Sequence, residues 1–234
     1  MIFKSPLIEG KLIKRYKRFL ADVELNDGSI ILAHVPNSGS MKGVSDPGSL
    51  CRISKSENLL RKIPYTLEMV RTLEGEWVGV NTSLTNHLVQ EAFELKKIKE
   101  WKDYSEFKRE VKISPESRLD FLLTSLTSEK KLYVEVKNVS MAEPPAAVFP
   151  DAKTERGQKH LRDLAKLATE GFESEILFVV QREDCKTFRP CDEIDPVYGQ
   201  LLRDVAKKNV TPRCWACKIT SSSIELSHPL KIIL

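Results

Sequence analysis

Two short apolar runs that carry acidic residues constrain the fold of this chain more than any other feature. Asp120 directly precedes the run Phe-Leu-Leu, and Glu135 and Lys137 lie in the run Leu-Tyr-Val-Glu-Val-Lys. Because side chains of a strand alternate between its two faces, Glu135 and Lys137 point the same way. We expect a hairpin with its loop over residues 124–131 to place Asp120 beside them. The runs are apolar enough for central strands, where an unpaired carboxylate is costly, so the pattern predicts a site.

Two carboxylates and a lysine at one point suit metal-dependent hydrolysis. Carboxylate oxygens are ligands for hard ions such as Mg²⁺, and a lysine beside the ion orients or deprotonates a water. The spacing predicts a metal-dependent phosphodiesterase of the PD-(D/E)XK nuclease type with Asp120, Glu135 and Lys137 as catalytic residues. The expected ligands of Mg²⁺ or Mn²⁺ are the two carboxylates and the backbone carbonyl of Val136. The competing interpretation is that these charges only form the solvated face of a strand.

Length and composition exclude several classes of protein. The 234 residues suffice for one large or two small domains, and 30% charged with 41% hydrophobic residues is an ordinary globular balance. No apolar run approaches the ~20 residues of a membrane span, and the N-terminus lacks the apolar segment of a signal peptide. We therefore expect a cytoplasmic protein with no membrane partner and mostly reduced cysteines. The net charge of +4 permits a nucleic-acid partner without requiring one.

The first 80 residues alternate short strand-like runs with turn signals. Extended segments are predicted at 7–13, 19–25, 29–35, 49–54, 65–71 and 77–80. The Asn-Asp-Gly sequence at 26–28 is a strong hairpin turn. Short antiparallel strands at this density predict that residues 1–80 form a five-stranded OB-like β-barrel, with an SH3-like barrel as the alternative.

Residues 81–234 mix helices with strands and predict an α/β domain. Helices are predicted at 86–95, 154–170 and 196–208, and strands at 107–113, 175–181, 211–219 and 223–226. Residues 141–150 are rich in Pro and Ala and are expected to form a loop. An alternative for the helix at 196–208 is that it forms a DNA-binding helix-turn-helix with its neighbours, although Pro212 interrupts any second helix.

Basic residues of the predicted barrel suit a phosphate backbone. Arg15, Lys17 and Arg18 are interleaved with aromatic residues, and Arg61 and Lys62 follow later in the domain. Cations beside aromatic rings on a small barrel favour nucleic-acid binding. The competing interpretation is an ordinary basic strand edge, which deters pairing with other chains.

The helix predicted after residue 154 begins with a second polar cluster. Gln158, Lys159 and Arg162 lie within about one turn of each other, at a helix N-terminus that favours phosphate. We expect Arg156, Gln158 and Lys159 to bind nucleic acid, although a solvated helix face is the alternative for each one. Glu91, on the first helix of this domain, is a candidate for a further metal ligand.

Taken together, motifs along nearly the whole chain resemble the sugar fermentation stimulation protein A family of bacteria and archaea. The matching segments are RYKRFLADV at 15–23, PNSGSM at 36–41, WVGVNT at 77–82, SRLDFLL at 117–123, VEVKNV at 134–139, FPDA at 149–152, TERGQKHL at 154–161 and DPVY at 195–198. The resemblance implies an N-terminal OB-like domain followed by a PD-(D/E)XK nuclease-like domain. It also implies that Asp120, Glu135 and Lys137 occupy the nuclease core positions, with Glu91 and Gln158 as accessory residues.

The family is described as DNA-binding and as linked to regulation of sugar utilisation, notably of maltose. We therefore expect a DNA-binding protein with a metal-dependent nuclease-like domain that uses Mg²⁺ or Mn²⁺. The alternative is a non-catalytic DNA-binding transcriptional regulator that retains the nuclease fold, because a fold does not establish a function.

Overall fold

A small closed barrel forms the first part of the computed structural model, which describes all residues from 1 to 234. Its strands are β1 (Ile8–Tyr16), β2 (Leu20–Leu25), β3 (Ile30–His34), β4 (Leu50–Lys55), β5 (Tyr65–Arg71) and the short β6 (Trp77–Gly79). The order β3-β2-β1-β4-β5 is closed by a parallel pairing of β3 with β5, and β6 adds to the outside of β5. This closed five-stranded topology confirms the predicted OB-like barrel over the SH3-like alternative.

Alternation of apolar and polar residues directs one face of each barrel strand inward. In β2, Ala21 and Val23 are fully buried while Glu24 is exposed. Thirteen buried apolar residues from the barrel and its loops form one core. The predicted Asn-Asp-Gly turn joins β2 to β3, and Gly28 has a φ of +82°, a conformation that suits glycine.

The remainder of the chain folds around a mixed sheet. Its elements are α1 (Thr85–Glu94), β7 (Glu106–Ser114), β8 (Ser117–Thr124), β9 (Lys131–Val139), β10 (Ala142–Glu143), β11 (Ala146–Phe149), α2 (Glu155–Thr169), β12 (Glu173–Val180), β13 (Thr187–Pro190), α3 (Pro196–Ala206), β14 (Val210–Ile219), β15 (Ile224–Pro229) and β16 (Lys231–Ile232). The main sheet has the order β15-β14-β12-β9-β8-β7. Strands β9, β12 and β14 run parallel, while β7, β8 and β15 pair antiparallel at the two edges.

Helices cover both faces of this sheet and form two separate cores. On one face α1 packs its buried residues, such as Leu88, against Phe121 and Leu177. On the other face α2 and α3 pack residues such as Leu161 against Phe178. Because the central strands are covered on both sides, residues 176–180 of β12 form a continuous apolar run. The arrangement confirms the predicted α/β domain.

Two local predictions for this domain are wrong. Residues 141–150 do not form a simple loop, because β10 and β11 pair as a hairpin within a small sheet that also contains β13 and β16. The helix-turn-helix alternative fails because α3 is followed directly by strand β14, and its apolar face packs into the core with α2. Proline at 212 is tolerated within β14 at a register position opposite Ile176.

The barrel contacts the α/β part of the chain through backbone and side-chain hydrogen bonds. The N–H of Gly79 donates to the carbonyl of Gln181 over 2.9 Å. The hydroxyl of Ser40 donates to the carbonyl of Asp151 over 2.8 Å, and the N–H of Met41 donates to Oδ2 of Asp151 over 3.1 Å. These bonds tie the loop between β3 and β4 to the segment that precedes α2.

None of the three α-helices is both long enough and apolar enough to cross a membrane.

Candidate active site

Asp120 lies where the ladder between β8 and β9 ends. The two strands pair from Thr124 and Lys131 as far as Phe121 and Val134, and beyond that point they separate. Asp120 fills the gap, because its Oδ2 accepts a 2.8 Å hydrogen bond from the N–H of Val136. Its Oδ1 accepts a second bond of 2.8 Å from Nδ2 of Asn86 on α1. Both carboxylate oxygens are therefore held in a fixed orientation.

Glu135 lies on β9 next to Asp120 and is almost completely buried, with 3% of its surface exposed. Its Oε1 accepts a 2.5 Å bond from Nζ of Lys137, and the same oxygen contacts Nδ1 of His160 on α2. Nζ of Lys137 also lies 3.2 Å from Nδ1 of His160. The predicted convergence of Glu135 and Lys137 on one face of β9 is present, and His160 joins them from the helix above.

The two carboxylates experience opposite electrostatic environments. Burial, followed by the nearby charge of Glu135, raises the pKa of Asp120 to about 6. Burial also opposes ionisation of Glu135, but the charge of Lys137 and the bonds from His160 and Lys137 outweigh it and hold the pKa of Glu135 below its ordinary value. One carboxylate is thus paired with the ammonium group of Lys137 and contacts His160, while the other has only neutral hydrogen-bond donors.

A cavity of about 550 Å³ opens beside these side chains. Asp120, Glu135 and His160 line it from the sheet and from α2, and Arg156 and Lys159 line it from the first turns of α2. A polar cleft that contains both carboxylates and cations suits a phosphodiester. The cations can contact its charged oxygens while the phosphorus is attacked.

His160 and Glu110 are among the residues of this cleft that were not predicted from the sequence. His160 is in contact with Glu135, and the signal that could have revealed it is helical spacing, since it lies four residues after Arg156 on one face of α2. Glu110 lines the cleft and lies opposite Asp120 across the β7–β8 ladder, with a positive φ of 51°. Nothing in the local sequence marks Glu110, because it is one of several charges along an exposed strand.

The amide of Gln158 is directed elsewhere. Its Nε2 donates to both carboxylate oxygens of Asp195, over 3.0 and 3.1 Å. Asp195 also accepts bonds from the N–H groups of Thr154 and Tyr198, at the starts of α2 and α3. The side chain of Gln158 is buried and ties the two helix starts together, so the structure does not bring it to the cleft with Arg156.

Glu91 is likewise not brought to the acidic pair. Its carboxylate forms an ion pair with the amino group of Met1. It does not line the cleft that contains Asp120 and Glu135, so α1 contributes Asn86 to the site instead.

The predicted cations of the barrel fall into two groups. Arg15 is committed to structure, because its guanidinium donates to the carbonyls of Arg18, Asn37, Gly39 and Ser40 over 2.8 to 3.0 Å. Lys17 and Arg18 are exposed at the tip of the β1–β2 hairpin.

The other two predicted nucleic-acid-binding cations of the barrel, Arg61 and Lys62, are neighbours in the segment before β5. Lys62 is exposed. Arg61 is half-buried and donates to Oγ1 of Thr66 over 2.9 Å. Lys17, Arg18 and Lys62 are therefore the cations of this set whose charged groups are free to meet a phosphate.

The fit of this site to a divalent cation depends on its oxygen donors. No group of three or more His, Cys, Asp and Glu side chains converges anywhere in the chain as a ready ligand set. Asp120 and Glu135 do supply hard oxygen donors at one place. Burial, followed by the repulsion between the two carboxylates, raises the pKa of Asp120, and a divalent cation relieves such a repulsion. The donor set therefore fits such an ion, with a backbone carbonyl and waters needed to complete it.

Comparison with known proteins agrees with this architecture. Residues 83–223 match the model of the sugar fermentation stimulation protein RE domain, and residues 13–80 match that of the SfsA N-terminal OB domain. The sugar fermentation stimulation protein homolog of Bdellovibrio bacteriovorus is 47% identical over 99% of this chain and 100% of its own length. The homolog of Geobacter metallireducens is also 47% identical, with full coverage of both chains.

A solved structure extends the agreement to three dimensions. The structure of SfsA from Pyrococcus furiosus in complex with Ca²⁺ is 25% identical and aligns with a TM-score of 0.90, covering 100% of this chain and 98% of that one. Both domain models, the full-length relatives and this shared fold support one conclusion, and they confirm the resemblance seen in the sequence. The chain belongs to the sugar fermentation stimulation protein family.

Proposed function

We propose that this protein is a metal-dependent nuclease that binds DNA, with its catalytic centre at Asp120, Glu135 and Lys137. The observation that carries the proposal is that Asp120 and Glu135 line one cleft with Arg156 and Lys159, while Lys137 joins this site through its bond to Glu135. Buried carboxylates beside a lysine and solvent-facing cations form a site suited to phosphodiester hydrolysis. The same arrangement has no hydrophobic pocket suited to an apolar substrate.

Asp120, Glu135 and the backbone carbonyl of Val136 are the groups that would hold Mg²⁺ or Mn²⁺. When bound, such an ion lowers the pKa of a water and neutralises charge on the phosphate. The chemistry of the two carboxylates supports this assignment, as does the family member from Pyrococcus furiosus that was solved with Ca²⁺, another hard cation that prefers oxygen ligands.

The remaining side chains of the site have separate roles. Lys137 orients the attacking water, and its bond to Glu135 fixes the position of its ammonium group. His160 holds the Glu135 carboxylate from the α2 side. Arg156 and Lys159 hold the phosphate, with Lys159 positioned by Asp163 over 3.1 Å.

The barrel binds the nucleic-acid backbone outside the catalytic cleft. Lys17 and Arg18 at the tip of the β1–β2 hairpin, together with Lys62, present charge to solvent. Such contacts give affinity without sequence specificity and make it depend on salt. The name of the family suggests that the physiological role concerns sugar utilisation.

One observation favours a second candidate, a DNA-binding regulator without turnover. Oε1 of Glu135 is already engaged by both Lys137 and His160. A lysine that serves only to neutralise a buried carboxylate would make the same contact with Glu135. In that case the nuclease fold would act purely as a DNA-binding surface.

A nuclease assay distinguishes the two candidates. Labelled single- and double-stranded DNA and RNA are incubated with Mg²⁺ or Mn²⁺, using the wild type, Lys137→Ala and the control Lys108→Ala, whose lysine is exposed on β7. We expect cleavage by the wild type and the control, and its loss in Lys137→Ala with DNA binding retained. Tight DNA binding without cleavage under any condition would replace the nuclease by the regulator.

A further inference from the structure

A second cavity lies between the barrel and the α/β part of the chain and has no role in the chemistry described above. Its volume is about 450 Å³, within the range of about 300–1,000 Å³ typical of small-molecule sites. The loop between β3 and β4 forms one wall, and the end of β9 with the segment before α2 forms the other.

This cavity adjoins the candidate active site along the chain. Asn138 lines it and directly follows Lys137 on β9. Thr154 lines it from the other side and caps α2, the helix that carries Arg156 and His160 into the cleft. The cavity and the cleft are therefore built on the same two elements, β9 and α2.

The lining offers an apolar platform and hydrogen-bonding groups without protein partners. Phe149 lines the cavity beside Pro150, and its ring packs against those of Phe178 and Tyr198 with centroid distances of 5.7 and 5.2 Å. Ser140 is only 6% exposed, yet its hydroxyl makes no hydrogen bond within the protein.

The amide of Asn138 divides its hydrogen-bonding capacity between the protein and the cavity. Its Oδ1 accepts bonds from Gln181 and Thr85, which leaves its Nδ2 without a protein acceptor. A flat heterocycle with donors and acceptors on its edge satisfies such groups, whereas a purely apolar ligand does not.

Two cations at the rim of the cavity suit the phosphate of a nucleotide. Arg18 from the barrel and Lys153 from the segment before α2 both line the cavity and are exposed. The one carboxylate in the wall, that of Asp151, accepts bonds from the N–H of Met41 and the hydroxyl of Ser40, over 3.1 and 3.3 Å. A phosphate at the rim would thus meet two free cations, while the carboxylate is engaged deeper in the loop contact.

From this lining we infer that the cavity between the two domains binds one nucleotide, with its base against Phe149 and its phosphate at Arg18 and Lys153. Within a nucleic acid this nucleotide would be turned out of its stack, at the unstacking cost common to such sites. The extrusion of a base from a nucleic acid rests on the proposed function, whereas the affinity of the cavity for a free nucleotide does not.

Free mononucleotides test the cavity independently of any nuclease activity. Binding of the four 2′-deoxynucleoside 5′-monophosphates to the full chain is measured by saturation-transfer NMR. We expect at least one of them to bind at millimolar concentration, with affinity reduced about tenfold by Lys153→Ala, since one charge-assisted hydrogen bond is lost. Ser38→Trp should abolish binding, because Ser38 is exposed at the mouth of the cavity and an indole would fill it.

Controls and a second probe complete the experiment. Lys207→Ala and Ser128→Trp change exposed residues away from the cavity and should leave nucleotide binding unchanged. An oligonucleotide that contains 2-aminopurine should gain fluorescence severalfold on binding the wild type but not Ser38→Trp, which shows a base leaving its stack.

The outcomes separate the inference from the proposed function. Absence of saturation transfer for all four nucleotides, or unchanged binding in Ser38→Trp, would overturn the inference even if DNA is cleaved. Nucleotide binding that Ser38→Trp abolishes would support it even if no cleavage occurs. Mononucleotide binding without any 2-aminopurine response would retain the cavity as a site for free nucleotides and reject base extrusion.

Discussion

At the scale of single residues, two neighbouring carboxylates are treated in opposite ways. Asp120 receives only neutral donors, from Asn86 and the N–H of Val136, and burial raises its pKa in spite of these bonds. Glu135 receives Lys137 and His160, and its pKa falls. A pair of acids with divergent environments is characteristic of functional sites, because structural acids are more simply left on the surface.

Removing either carboxylate should weaken metal binding. Asp120→Asn and Glu135→Gln each replace a charged oxygen donor by a neutral one of the same shape. We expect the affinity for Mn²⁺, measured by titration calorimetry, to fall by at least about tenfold in both variants. Glu129→Gln, in the exposed loop before β9, serves as the control. Unchanged affinity in both site variants would place the metal elsewhere.

A third buried acid, Glu175 on β12, lies outside the cleft. It is 2% exposed, and its carboxylate accepts bonds from Nε1 of Trp101 over 3.3 Å and from Nε of Arg213 over 3.1 Å. Burial raises its pKa to about 7 in spite of the charge of Arg213. In the folded protein this group therefore retains its proton in a pH range where the unfolded chain has lost it.

The raised pKa of Glu175 predicts a pH dependence of folding. Because the folded state binds the proton more tightly, the contribution of Glu175 to stability is greatest below pH 4.5 and is lost as pH rises towards 7. Relative to Glu175→Gln, which does not titrate, the wild type should lose about 2 kcal/mol of unfolding free energy between pH 5 and 8. Urea denaturation across this range measures the difference, and a pH-independent difference would contradict it.

At the scale of elements, α2 shows how one helix divides its residues between two tasks. Arg156, Lys159 and His160 line the cleft, whereas Gln158 and Leu161 face the core with α3. The sequence cluster of polar residues predicts a functional helix start. It does not reveal that the polar amide of Gln158 belongs to the buried side, since this depends on Asp195 from a distant segment.

The β1–β2 hairpin divides its cations in the same manner. Arg15 binds four carbonyls and holds the loop between β3 and β4, while Lys17 and Arg18 extend from the turn with positive φ values of 47° and 64°. Three neighbouring basic residues thus have one structural and two solvent-facing roles.

Substitutions in this hairpin should separate the two roles. Arg15→Ala leaves its carbonyl partners without donors and should lower the unfolding free energy by about 1–3 kcal/mol. Lys17→Ala combined with Arg18→Ala should leave stability nearly unchanged but weaken DNA binding, with a salt dependence shallower by about two units in log–log slope. Thermal unfolding and binding titrations at several salt concentrations measure the two effects. Wild-type affinity and slope in the double variant would place the DNA elsewhere.

At the scale of the whole molecule, one glycine determines how closely the barrel approaches the sheet. A Cβ at Gly79 would lie 2.3 Å from Oε1 and 3.1 Å from Cβ of Gln181. Gln181 cannot move freely, because its Nε2 donates to Asn138 over 2.5 Å and to Thr85 over 3.2 Å. This small network joins the barrel, the start of α1 and the end of β9 just beyond Lys137.

A methyl group at this position should therefore affect both domains. Gly79→Ala is expected to lower the melting temperature by several degrees, since it forces Gln181 from its bonds or separates the domains. Gly79→Ala combined with Gln181→Ala should recover part of the loss, because the clashing side chain is gone. Calorimetry of both variants tests this coupling, and equal destabilisation in the single and double variants would argue against it.

The sequence by itself determined the fold class and the acidic core. Strand alternation and turn chemistry are local properties, so they predict the barrel strands and the shared face of Glu135 and Lys137 without further information. The carboxylate pair could be recognised because burying a charge within such an apolar run costs folding free energy unless the charge has a partner.

Only the tertiary structure decided which polar side chains meet. His160 contacts Glu135 although 25 residues separate them in the sequence. The guanidinium of Arg15 donates to backbone carbonyls, and Glu91 forms an ion pair with Met1. Each outcome depends on which partner occupies the neighbouring position in space, and hydrogen bonds act over about 3 Å regardless of separation along the chain. A local pattern therefore predicts the face on which a charge lies, while packing between distant segments determines its partner.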